Sequence, residues 1–228
     1  MAGGSALGPV GSGTNRESSG RMPSGVSGRK IAFLATDGVE QRDLREPWDA
    51  LANAGAVLHL ISIHPGEIQA VRGEERADRF NVDRLLGAVR AGDYDGLILP
   101  GGPANADRLR VDAGAKSFVR AFMDADKPVG AIGAGLRILL EDDLVRGRSI
   151  ASSPILEREV SAGGGLSTSG PVEVDQRLIT SRGAEDLPAF CRKLVNLFTT
   201  AIDERRLDQV VEQSFPASDP PPGPGAGR

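Results

Sequence analysis

The sequence predicts an α/β protein built on a mostly parallel sheet with helices on both faces. Short apolar runs of strand length recur along the chain without polar alternation, as in strands covered on both sides. Segments with helical spacing lie between them, so most strands are joined by crossovers rather than tight hairpins. Where a strand ends, the chain turns through glycine, which permits sharp bends and close backbone approach.

Residues 1–28 are rich in Gly and Ser, carry scattered Arg and show no apolar periodicity. Such a segment cannot bury enough surface to offset the entropy of ordering, and a disordered tail is expected. Residues 30–35 read as the first buried strand and residues 36–40 as a loop. Residues 43–54 read as a helix, with Leu44, Trp48 and Leu51 near one face. Gly55 stops it, residues 56–63 form the second strand, and residues 66–82 hold a short hairpin or edge strand. Residues 94–99 form another buried strand, closed by Pro100, Gly101 and Gly102. A helix over residues 113–125 leads to the strand 129–132. A β segment near residues 149–152, a helix over 155–162, a late hairpin over 172–174 and 178–181, and a last helix over 187–202 complete the order. The folded domain is expected over residues 29–203. A flexible tail follows over 204–228, Pro-rich from about Gln209 onward. Its segment from Ser214 to Pro221 resembles a short tail motif of assorted small bacterial proteins and reads either as flexible chain or as a docking peptide.

A chain of 228 residues can bury a sizeable core. The net charge of −4, with no basic block, argues against nucleic-acid binding. The apolar runs are too short to span a membrane, the N-terminus lacks the order of a secretory signal, and a cytoplasmic protein is expected. Cys191 is the single cysteine, which excludes an internal disulfide and a cysteine-based metal site. With only His59 and His64 as imidazoles, no metal site is expected. His59, inside a strand run, reads as a packed or edge residue, His64 as part of a turn before Pro65, and neither has a neighbour that makes a dyad. No cofactor is expected: the loops are poor in aromatics, and no phosphate-binding glycine loop follows the first strand.

The run Val129-Gly130-Ala131-Ile132 breaks into Gly133-Ala134-Gly135 and then a helical pattern. In α/β folds such a turn often presents a nucleophile at its apex. Here the apex holds Gly133 and Ala134, and no side chain there can attack. Ligands of parallel sheets sit outside the carboxyl ends of the strands. That rule gathers residues 37–40, 100–105 and 133–136 around one crevice.

These loops resemble the ThiJ/PfpI superfamily over about residues 30–198, most closely its bacterial PfpI-type branch, named intracellular protease/amidase, glyoxalase or protein deglycase. The resemblance is carried by Thr36-Asp37-Gly38-Val39-Glu40-Gln41 and by Tyr94-Asp95-Gly96-Leu97-Ile98-Leu99-Pro100-Gly101-Gly102. Val145-Arg146-Gly147-Arg148, Leu178-Ile179-Thr180-Ser181-Arg182 and Asp186-Leu187-Pro188-Ala189-Phe190 extend it. It implies a flavodoxin-like three-layer sandwich, related to class I glutamine amidotransferases, and a homodimer or larger homo-oligomer. The family elbow reads Ala-Ile-Cys-His-Gly, whereas this chain has Ala131-Ile132-Gly133-Ala134-Gly135, so the nucleophile position falls on Gly133 and the histidine position on Ala134. By resemblance, Glu40 is the carboxylate that contacts the missing cysteine, and the Gly102 and Ala134 N–H groups form an oxyanion hole that needs no side chain.

Two readings of Glu40 stay open. In a partly buried crevice a carboxyl is raised by desolvation and can serve as acid or base; alternatively Glu40 only faces the start of the following helix. Gly101 and Gly102 likewise serve either an anion pocket or a tight strand-to-helix turn. Cys191, on an apolar helix face, reads as a small buried residue. The expected function is a catalytically degenerate family member, stress-associated, that binds a small carbonyl or anionic ligand. The alternative is a residual protease/amidase or glyoxalase/deglycase-type hydrolase using Glu40 and water.

Overall fold

The computed structural model describes residues 25–214. After a turn over residues 25–28, Lys30–Leu34 (β1) enters the sheet, and a second, two-residue strand Val39–Glu40 (β2) leads into helix Gln41–Asn53 (α1). Val57–Ser62 (β3) is followed by the hairpin Glu67–Arg72 (β4) and Glu75–Asn81 (β5), then by Arg84–Leu85 (β6) and Gly96–Leu99 (β7). Helices Pro103–Leu109 (α2) and Ala113–Asp124 (α3) precede Val129–Ile132 (β8). A 3₁₀ segment, Gly133–Leu136, runs into Arg137–Leu140 (α4). Ser149–Ala151 (β9), Glu157–Ala162 (α5), Leu166–Thr168 (β10), the hairpin Val172–Asp175 (β11) and Leu178–Ser181 (β12), and helix Leu187–Ser214 (α6) finish the described chain.

Seven strands form the main sheet in the order β11-β12-β8-β7-β1-β3-β6, all parallel except the β11–β12 pair. This is the mostly parallel α/β sheet expected from the apolar runs. Side chains alternate across it as the pleat requires. Ala32 and Leu34 pack with Phe118, Val119 and Phe122 of α3 and Ile138 and Leu139 of α4. Ile31 and Phe33 face the other way, onto Leu44 and Leu51 of α1 and Leu187, Phe190, Leu194 and Phe198 of α6. Two apolar layers on a single sheet supply the main driving force. Truncating a fully buried ring such as Phe190 to alanine is worth about 3–5 kcal/mol.

The expected hairpin in residues 66–82 is β4–β5, antiparallel with a register shift between Gln69 and Val71. It belongs to a separate three-stranded sheet, because β2 pairs with β4 in parallel through Val39 opposite Ala70 and Glu40 opposite Val71. Residues 36–40 are therefore a loop that ends in a strand.

Ordered structure reaches past both ends of the expected domain, residues 29–203. Residues 25–28, assigned to the N-terminal tail, form an ordered turn: Val26 is 3% exposed, and the Gly25 N–H donates to both carboxylate oxygens of Asp203 at 3.0 and 3.1 Å. At the other end α6 continues through residues 204–214, where the sequence predicts a flexible tail. Arg177 pairs with Glu204 at 3.3 Å, and the Arg205 guanidinium donates to the Ala125 carbonyl, so the helix keeps tertiary partners past Ile202. The rest of the two expected tails, with most of the Ser214-to-Pro221 motif, lies outside the described residues. Among the described residues no helix is long and apolar enough to cross a membrane.

Candidate functional site

The carboxyl ends of β1, β7 and β8 meet as the topology requires, and Asn105 fastens the first two loops together. It is fully buried; its Oδ1 accepts the Thr36 N–H at 2.8 Å, and its Nδ2 donates to the Pro100 and Gly101 carbonyls at 3.0 and 3.2 Å. The Gly101 carbonyl also accepts the Glu40 N–H at 3.1 Å. Gly102 then turns at φ +99° into α2, which starts with Pro103, where the fixed proline φ suits a first helical residue. A β-carbon on Gly102 would stand 2.2 Å from the Gly38 carbonyl oxygen. Only glycine lets these two loops touch.

The third loop keeps its elbow. Gly133 has φ +50°, a conformation that costs a residue with a side chain, and the 3₁₀ segment begins there. A β-carbon on Gly135 would lie 2.3 Å from the Leu99 carbonyl oxygen, which presses this loop against the one after β7. At Gly133 itself a β-carbon would meet only ordinary contacts, the Arg182 carbonyl oxygen at 3.4 Å and Gly183 Cα at 3.7 Å. Residues 37–40, 100–105 and 133–136 thus converge. The N–H of Ala134 lies in the first turn of the 3₁₀ segment and that of Gly102 just before α2, positions for which helix geometry supplies no acceptor.

Glu40 is half-buried and is the residue preceding α1, but its side chain makes no capping bond there. Its Oε2 instead accepts the Gly73 N–H at 2.9 Å, in the β4–β5 turn. The enclosed carboxyl of the crevice is one the sequence reading missed, Asp43. It is 4% exposed, and burial pushes its pKa up to about 7, the nearby charge of Glu40 adding to the effect and a hydrogen bond from the Gly101 N–H opposing it. The available signal was spacing: Asp43, Pro47 and Leu51 recur every four residues, which puts Asp43 on the buried stripe of α1.

Several polar atoms near these strand ends are buried without a hydrogen-bond partner: Thr36 Oγ1 after β1, Ser62 Oγ in β3, Ser181 Oγ in β12, and Asp43 Oδ1. Buried polar atoms are nearly always satisfied in native proteins, so such a group marks places for water or a polar ligand. A groove of about 620 Å³ opens next to the crevice, lined by Asp37, Gly38, Gln69, Arg76 and Arg108 among others. Glu40, Gly102 and Gly133 do not line it.

The two histidines part ways. His59 Nδ1 lies 3.0 Å from the Tyr94 hydroxyl inside the fold. His64 does have a carboxylate neighbour, contrary to expectation, with Nε2 3.3 Å from Asp37 Oδ2 at the groove edge, because the loop after β3 lies beside the loop after β1. Burial pushes the Cys191 thiol up to about 11, which keeps it protonated and unreactive near neutral pH.

A three-layer α/β sandwich with a glycine-lined elbow at the carboxyl ends of its strands defines the class of protein, and comparison with known proteins then gives the family. The chain belongs to the DJ-1/PfpI family, which it matches over residues 29–197. It is 34% identical over 170 residues to protein/nucleic acid deglycase 2 of Escherichia coli, covering 74% of this chain and 97% of that one. It is 32% identical over 171 residues to general stress protein 18 of Bacillus subtilis, covering 75% and 98%. Among solved structures, Schizosaccharomyces pombe DJ-1 superposes with a TM-score of 0.67 at 21% identity, covering 83% of this chain and all of that one, and so supports the flavodoxin-like fold.

Proposed function

We propose that this protein is a family member without the covalent chemistry, which uses the retained crevice to bind a small carbonyl or anionic ligand. The observation that carries the reading is Gly133: the elbow keeps its strained backbone, but neither it nor Ala134 offers a nucleophile or a base. Losing the nucleophile of a covalent mechanism removes several orders of magnitude in rate and leaves orientation and backbone donors. The unpartnered polar atoms at the strand ends and the N–H groups of Gly102 and Ala134 support binding of a polar group there. A stress-associated role rests on the name of the Bacillus relative, and a cytoplasmic homodimer or larger homo-oligomer on the family resemblance.

A second reading is favoured by one feature, the pairing of Glu40 with a buried acid at Asp43 whose pKa lies near neutrality. In that reading the carboxyl pair activates a water against a dicarbonyl or amide without a covalent intermediate. Turnover of methylglyoxal and of a fluorogenic peptide separates the two. The binding reading expects activity in the Gly133→Cys/Ala134→His double variant and none in the wild type. Wild-type turnover that disappears in Glu40→Gln would establish the hydrolase instead.

A further inference from the structure

A second polar cavity lies at the opposite end of the sheet from the glycine-rich loops. Because β1, β7 and β8 run parallel, Arg29, Asp95 and Lys127, each just ahead of its strand, gather at the amino ends. Helix α6 passes this end and adds Ile202, Arg205 and Arg206, enclosing about 350 Å³. Parallel sheets ordinarily bind ligands at their carboxyl ends, so this cavity is separate from the crevice.

Four cations face one carboxylate in a chain whose net charge is −4. That carboxylate, Asp95, is partly committed, accepting the Lys30 N–H at 3.0 Å. Two of the cations are anchored by backbone carbonyls. Lys127 Nζ donates to the Ala91 and Tyr94 carbonyls at 2.8 and 2.5 Å, which leaves one of its three N–H groups, and Arg205 donates to the Ala125 carbonyl, which leaves most of its fork. Burial, and after it the Arg205 guanidinium, holds the Lys127 pKa below its ordinary value, while Asp95 and Asp93 oppose the shift. The Lys127 and Arg205 charges are thus held close together by backbone carbonyls at half-buried positions.

We propose that this cavity binds a compact phosphate-bearing anion of the size of a nucleoside monophosphate or sugar phosphate. Guanidinium forks match phosphate oxygens in pairs, and Lys127 adds a point charge. Ile202 supplies an apolar wall for the part of the ligand that carries the phosphate. The volume falls at the small end of the range for ligand pockets.

The test titrates the full chain with adenosine monophosphate and, separately, inorganic phosphate, followed by calorimetry and by ¹⁵N–¹H spectra. Saturable one-to-one binding is expected, with shifts confined to the neighbourhood of Gly92, Asp95 and Ile202. Removing two guanidinium groups in Arg29→Ala/Arg205→Ala should weaken it at least about tenfold. Arg158→Ala, which removes an exposed charge on α5, should leave it unchanged. Tighter binding of the monophosphate than of phosphate shows that the wall at Ile202 contributes; equal binding shows that the phosphate alone is read. The wild-type spectra decide the matter even where the double variant does not fold. No saturable binding, shifts scattered over the surface, equal weakening by Arg158→Ala, or binding of an oligonucleotide in place of the monophosphate would overturn the proposal.

Discussion

Asp43 lies directly over Gly101: a β-carbon on that glycine would stand 2.2 Å from Asp43 Oδ2 and 3.0 Å from the Ile132 carbonyl oxygen. The carboxyl therefore occupies the space that the glycine leaves, beside the last residue of β8 before the elbow. One oxygen takes the Gly101 N–H and the other is enclosed without a partner. That environment favours the neutral acid, and the consequence is a pH-dependent fold.

The folded protein holds the Asp43 proton up to about pH 7, whereas the unfolded chain releases it near 3.8. Between those values the folded state binds more protons, so stability falls as pH rises, by at most about 1.4 kcal/mol per unit, and levels off above 7. Asp43→Asn stays neutral and lacks this decline. Denaturant unfolding of both proteins from pH 4 to pH 8 should show the variant gaining on the wild type up to about pH 7. Parallel curves would mean that Asp43 is ionised in the fold.

Glu40 acts on Asp43 through its charge, which raises the Asp43 pKa. Glu40→Gln removes that charge and weakens the charge-assisted bond to the Gly73 N–H. The Asp43 titration, followed by its carboxyl ¹³C shift, is expected to move below about 7. An unmoved midpoint would show that the two carboxyls are not coupled, and would weaken the hydrolytic reading that needs them to act as a pair.

The strands under the site were readable because β1, β7 and β8 are apolar runs covered on both faces, and a run of that kind states its own burial. The elbow was readable for a similar reason, since glycine at 133 and 135 is a local fact. Asp43 was harder: its importance depends on which face of α1 is covered, and its partner Gly101 lies across the fold. The destination of Glu40 depends on a hairpin turn more than 30 residues away, a pairing no local pattern specifies. Strands as short as β2 and β10 owe their existence to the neighbours they pair with, Val39 to Ala70 and Leu166 to Ser149. The extension of α6 past Ile202 is likewise held by Arg177 and by the Ala125 carbonyl, neither of which shows in the helix's own spacing.

Gly102 is expected to tolerate no side chain. Its φ of +99° is strained for any L residue, and the added methyl would run into the Gly38 carbonyl and the Glu40 N–H, at 2.2 and 2.6 Å from the β-carbon. Backbone on both sides cannot move without parting the loops after β1 and β7. Gly102→Ala should lose about 3 kcal/mol or more in chemical denaturation. Gly147→Ala, also at positive φ but with open space around it, should lose less. Equal losses would place the whole cost in backbone strain and none in loop contact.

Gly133 offers the opposite case, and it decides whether the elbow can be refilled. Its φ of +50° should cost a side chain about 1–2 kcal/mol, but the β-carbon would find room beside the Arg182 carbonyl and Gly183. Gly133→Cys should therefore fold, with a loss of that size and a thiol titratable by a disulfide reagent in the native state. Gly133→Ala, carrying the same strain without the thiol, should match it in stability. A native thiol that reacts while the wild-type Cys191 stays slow would locate the new group at an open apex, because the Cys191 thiol is pushed up to about 11. A Gly133→Cys protein that fails to fold while Gly133→Ala folds would show that the apex has closed around the glycine, and no cysteine chemistry could then be restored there.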